Sequence, residues 1–163
     1  MMDSLISLAV IAAAIGSGLI AGTFFVFSVA IMRALGRLPA AEGAKAMQSI
    51  NTVILNPAFL GVFLGTAVLS AAIIVLGILW VGQPGWTSLT AASAIFLGGS
   101  IFVTMFFNVP LNNSLAASKP ETTEGQALWQ TYLRTWTLWN HVRTVASLGS
   151  LAMFILGYAS ISK

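Results

Sequence analysis

Four long apolar runs, separated by shorter polar stretches, dominate the pattern of this chain. The first, Leu5 to Met32, exceeds the roughly 20 residues that cross a bilayer as a helix, so it has room to tilt or bend. Pro57 to Val81 carries no charge and opens on a proline where a helix start loses no internal bond. Thr87 to Phe107 follows a compact turn, Gly82-Gln-Pro-Gly-Trp86, which Trp80 and Trp86 bracket as interfacial anchors. The last run, Val145 to Tyr158, is short and spans only if its helix starts near Trp136 or Asn140. The predicted spans are therefore about 5–32, 57–81, 87–107 and 138–160.

The stretches between them are structured in their own way. Within 33–56, Pro39 is placed to start a helix, and Ala40, Ala44, Met47, Ile50, Val53 and Ile54 recur at spacings of three and four. That pattern predicts an amphipathic helix lying against the mouth of the bundle. After Phe107 the polarity rises abruptly through Asn108, Asn112 and Asn113, and Pro110 is expected to break the turn between the first two. Thr122 or Thr123 is placed to cap a helix running through Trp129 and Tyr132 towards the fourth span. The fold predicted is all-α: a four-helix transmembrane bundle, with an amphipathic segment between helices 1 and 2 and a polar loop-helix before helix 4. Residues 1–163 read as a single integral membrane domain. The first run is too long for a signal peptide and has no basic stretch before it, so it reads as retained. Gly18 and Gly22 have the spacing that lets helices approach closely, as ordinary bundle packing or as a dimer face, so a homo-oligomer is possible.

Composition agrees with the pattern. The chain is 58% hydrophobic and only 7% charged, where soluble domains carry about 25% charge, so lipid covers much of its surface. A net charge of +3 comes from scattered lysines and arginines with no basic stripe, which argues against nucleic acid as a partner. Six of the seven basic residues fall in the first and third connections or at the mouth of the fourth span, and Lys163 lies opposite. The positive-inside rule then puts 33–56 and 108–140 in the cytoplasm of a multi-pass protein of the cell inner membrane. With no cysteine, one histidine and four acids, thiolate, two-histidine-one-carboxylate and single-chain bis-histidine haem sites cannot be assembled, so no metal and no cofactor is expected.

This topology brings Asn51, Asn56, Asn108, Asn112, Asn113, Trp136, Asn140, His141 and Arg143 to one end of the bundle. Buried asparagines need several partners each, so the gathering is either a hydrogen-bonded network or a wet ligand pocket. Arg143 reads either as a snorkelling residue or as an anion site. His141 is either hydrogen-bonded in place or, as the chain's one imidazole, suited to take a proton from a ligand. Trp136 and Trp139 are belt anchors or ring-stacking groups.

Five motifs, Gly22-Thr-Phe-Phe-Val-Phe, Met47-Gln-Ser-Ile-Asn51, Asn56-Pro-Ala-Phe59, Asn108-Val-Pro-Leu-Asn112-Asn113 and Trp136 to Thr144, resemble in their order the anthrone oxygenase-like family of small four-helix membrane proteins. Ala30-Ile-Met-Arg33 departs from a region that often carries proline in similar proteins. The resemblance implies a cofactor-independent oxygenase that turns an activated aromatic methylene into a carbonyl, with a lipophilic aromatic substrate and dioxygen as partners beside the lipid bilayer. It also implies roles: His141 as base, Asn108, Asn112, Asn140 and Arg143 around an enolate oxygen, Trp136 or Trp139 on the ring, and Asn51, Asn56 and Asn113 nearby. The rival readings are a non-catalytic membrane protein that binds a lipophilic molecule or assembles with partners, and a transporter that would need to oligomerise.

Overall fold

The computed structural model describes residues 2–161 of the chain; Lys163, used in the charge count above, lies outside them. Five helices follow one another. Helix α1 covers 2–35, as Met2–Val26, a π-helical turn at Phe27–Ile31 and a last turn at Met32–Leu35. Helix α2 is Ala40–Val53, α3 is Pro57–Leu79, α4 is Trp86–Ala117 and α5 is Thr123–Ile161. Helices α1, α3, α4 and α5 are long and apolar enough to cross a membrane, and the chain is a four-span membrane protein. They pack as a ring in which α1 touches α3 and α5, and α4 touches α3 and α5.

Local chemistry sets most of the helix ends. Asn56 caps α3 by accepting from the Phe59 N–H at 3.0 Å, with Pro57 at the first helical position. Thr122 Oγ1 accepts from the Gly125 N–H at 3.1 Å and so starts α5. Pro39 precedes α2. With no proline at 30–33, α1 runs on to Leu35. Between α3 and α4, Gly82 and Gly85 take φ of +87° and +80°, a backbone region that other residues rarely enter. Trp86 is buried against Trp80 (ring centroids 4.8 Å apart), so it belongs to the core rather than to an interfacial belt.

Two expectations change. Pro110 does not break the helix between Asn108 and Asn112. A π-helical turn at Thr104–Asn108 comes just before it, and Val109 N–H bonds the Thr104 carbonyl five residues back, so the i→i−4 ladder is already interrupted where Pro110 lacks its N–H. The polar helix before the fourth span is fused with that span as one helix of 39 residues. At 1.5 Å per residue it is about 58 Å long, against about 30 Å of hydrocarbon, so part of α5 stands clear of the lipid core.

The packing is polar inside and apolar outside. Leu8, Leu19, Val68, Ile78, Val145 and Leu156 are exposed on the outer faces, while Ser17, Ser100, Ser147 and Ser150 are fully buried. Gly16 lies so close to Thr66 that a methyl group there would overlap the hydroxyl, whereas Gly22 faces outward with nothing near it. The close approach of α1 to α3 therefore depends on Gly16 rather than on the Gly18/Gly22 pair.

Candidate functional site

On α5, Tyr132, Trp136, Asn140, the adjacent pair Arg143 and Thr144, Ser147 and Ser150 follow one another at helical spacing and are buried along one line facing the bundle. Polar partners for this line come from π-helical turns on the neighbouring helices. Ser28, from the turn in α1, receives a bond from Asn140 Nδ2 at 2.7 Å and shares one with Thr144 at 3.2 Å. Ser100 and Thr104, from the two turns in α4, meet Ser147 at 2.6 Å and Arg143 Nη1 at 3.2 Å. Asn108 Nδ2, at the end of the second of these, donates to the Trp136 carbonyl at 3.2 Å. A π-turn inserts one residue into a helix and re-aims the side chains around it, and here that turns hydroxyls and amides onto α5.

Arg143 is the centre of the arrangement. It is 4% exposed, with its Nη2 on Asn140 Oδ1 at 2.8 Å and its guanidinium 4.1 Å from the Phe24 ring centroid and 5.0 Å from that of Trp136. Asn140 is itself fully buried and tied to α1 through the Phe24 carbonyl and Ser28, both at 2.7 Å. Among the described residues no carboxylate pairs with Arg143, and its buried Nε has no partner. A buried cation without a counter-anion is costly unless something supplies one.

Arg143 lines a cavity of about 90 Å³, together with Asn51, Asn112, Trp136 and Thr104, and the apolar residues of its wall include Phe24, Phe27, Ile54, Leu55, Phe59 and Phe63. Sites for drug-sized ligands hold roughly 300 Å³ or more, so a polycyclic ligand enters only if a wall moves. Leu55, exposed in the α2–α3 connection, is on that wall.

The polar end of the cavity has a defined hydrogen-bond direction. An indole N–H can only donate, so Trp136 Nε1, at 2.8 Å, fixes the oxygen of Asn112 towards itself. Tyr132 donates to the same oxygen at 2.8 Å and accepts from Asn51 Nδ2 at 3.3 Å. The Trp129, Tyr132 and Trp136 rings stack in sequence behind this chain, at centroid spacings of 5.6 and 6.0 Å.

Of the residues singled out in the sequence, Asn51, Asn112, Trp136 and Arg143 meet at the cavity, with Asn108 and Asn140 directly behind. The others do not join them. Asn56 spends both ends of its amide on the α2–α3 connection, accepting from Phe59 and donating to the Val53 carbonyl. Asn113 is exposed, and Trp139 stacks on Phe107 with centroids 3.7 Å apart. His141 is exposed and absent from the cavity wall; one residue turns a helix by about 100°, enough to carry it away from the face Asn140 occupies. Tyr132 and Thr104 were missed, although Tyr132 lies one helical step before Trp136. No three His, Asp or Glu side chains gather as a metal site among the described residues.

A family model described as anthrone oxygenase matches residues 58–153, more than half of the chain. The match takes in Thr104, Asn108, Asn112, Trp136, Asn140 and Arg143. No curated protein and no solved structure matches the chain.

Proposed function

Because the chain belongs to the anthrone oxygenase family, we propose that it uses dioxygen to oxidise an activated methylene of a lipophilic aromatic ketone to a carbonyl. The observation that carries this reading is Arg143: a buried guanidinium without a carboxylate, on the wall of an otherwise largely apolar cavity. Such a site suits a flat, largely apolar molecule with an oxygen that becomes negative during reaction.

Loss of a methylene proton gives an enolate whose oxygen rests on Arg143. At about 4 Å and an effective dielectric near 20 the pairing is worth about 4 kcal/mol, roughly a thousandfold gain in the ionised fraction. Asn140 and Thr104 hold the guanidinium in place, and Phe24 and Trp136 keep water from it. The enolate carbon then gives two electrons to dioxygen, forming a carbon–oxygen bond and a peroxide anion. That anion takes up a proton, and the hydroperoxide loses water as its remaining C–H and O–O bonds break. One methylene and one dioxygen thus become one carbonyl and one water, and the sequence balances with no other reductant. Because His141 faces away from the cavity, the first proton is released to water at the mouth rather than to that side chain.

The polar end of the bundle, with segments 33–56 and 108–140, is proposed to face the cytoplasm of a cell inner membrane, supported by the basic residues concentrated there. A substrate dissolved in the bilayer then reaches the cavity from the lipid side.

One observation favours a second reading, a non-catalytic binder of a lipophilic molecule: the cavity wall holds no histidine and no carboxylate to act as base. Oxygen uptake separates the two. Purified protein in nanodiscs supplied with anthrone should consume oxygen well above empty nanodiscs, and Arg143→Gln should remove at least nine-tenths of the excess. A folded sample with no uptake above the control would leave only the binder.

A further inference from the structure

The hydrogen-bond chain at the polar end of the cavity leaves one donor unused. Asn112 Oδ1 accepts from both Trp136 Nε1 and Tyr132 Oη, at 2.8 Å each, which occupies its two lone pairs and prevents the amide from flipping. Among the described residues its Nδ2 then has no acceptor, and the residue lines the same cavity as Arg143. Trp136 joins the two sites, with Arg143 over its ring and Asn112 at its N–H. The guanidinium and the amide therefore border one largely apolar space from two separate positions.

We infer that Asn112 is a specificity-determining residue: its locked amide donates to a second acceptor oxygen of the ligand, apart from the one held by Arg143. The ligand class selected is a flat aromatic with two acceptor oxygens, and a hydrocarbon of the same shape is discriminated against because it leaves both donors buried and unpaired. Asn51 and Tyr132 act as positioning residues. Tyr132, having given its only proton to Asn112, must accept from Asn51, so all three groups are held in one sense. The inference rests on the cavity of the proposed function being a ligand site, and not on turnover.

Equilibrium binding tests it without catalysis. The affinities of 9,10-anthraquinone and anthracene are measured on protein in nanodiscs by quenching of tryptophan fluorescence, for the wild type, Asn112→Asp and Asn112→Ala. The aspartate keeps acceptors for Tyr132 and Trp136 and loses the donor; the alanine removes the donor without adding a charge beside Arg143. Wild type should prefer the diketone, and both substitutions should cut that preference about tenfold, the contribution of one hydrogen bond, with anthracene affinity held within twofold as the check on folding. An unchanged preference in Asn112→Ala overturns the inference; should that variant not fold, an unchanged preference in Asn112→Asp does so. Oxygen uptake by the wild type with no diketone preference would also sink it, while leaving the oxygenase reading intact.

Discussion

Arg143 Nη2 donates to Asn140 Oδ1 at 2.8 Å, and the same asparagine turns its Nδ2 to the Phe24 carbonyl and to Ser28 on the opposing helix. One amide thus fixes a buried cation to α5 and fixes α5 to α1.

Replacing Asn140 with alanine should therefore do two things at once. It leaves the Ser28 hydroxyl and Arg143 each short of a buried partner, at about 1–3 kcal/mol for each group left unpaired, and it frees the guanidinium to move. A lower thermal midpoint in detergent together with weaker anthrone turnover is the expected outcome. A midpoint unchanged from wild type would show that water replaces the lost bonds.

Supplying a counter-anion tests the other half of the arrangement. Thr104→Asp places a carboxylate where Arg143 Nη1 now meets a hydroxyl. The internal pair should hold or raise the thermal midpoint and lower oxygen uptake at least tenfold, because the substrate enolate must compete with it. Undiminished uptake would mean that the positive charge of Arg143 is not used.

His141→Gln should keep oxygen uptake within twofold of wild type, since the side chain is exposed on the outer face of α5. A hundredfold loss in a correctly folded sample would restore the histidine as base.

Much of this architecture could be read from local chemistry. Pro39, Pro57 and Thr122 mark helix starts whatever surrounds them, and the four apolar runs announce the spans. The extent of α5 was harder to see, because Gln126, Gln130 and Arg134 lower the hydropathy of its first turns without weakening their helical preference. Pro110 misled because its effect depends on the π-helical turn before it, which lies against α5 and which no local pattern records. The polar face from Trp136 to Ser150 was visible in its spacing, but which side of the helix His141 takes depends on how α5 is rotated against α1 and α4.

Gly16 and Gly22 separate bundle packing from assembly. Gly16→Ala should destabilise the protein by about 1–3 kcal/mol through overlap with Thr66, while Gly22→Ala should change neither the thermal midpoint nor the mass seen by crosslinking in membranes. A drop in oligomer mass on Gly22→Ala would reveal a lipid-facing interface between copies.

At the polar end, Lys45 pairs with Glu121 between α2 and the α4–α5 connection. The lysine holds the carboxyl below its usual range, first by its hydrogen bond. Since the folded pKa is the lower one, the pairing stabilises above the ordinary glutamate pKa and is lost as pH falls through the depressed value. Glu121→Gln should therefore lower the thermal midpoint slightly at neutral pH and low salt, with the difference closing in acid and in high salt.

The central claim, that Arg143 holds the enolate oxygen, is met most directly by an anaerobic absorbance titration of anthrone bound to the protein. With dioxygen absent the enolate accumulates and its spectrum reports ionisation alone. Bound to the wild type, anthrone should ionise about three pH units below its value in detergent without protein, and bound to Arg143→Gln the displacement should vanish. Equal ionisation on both proteins would contradict the claim.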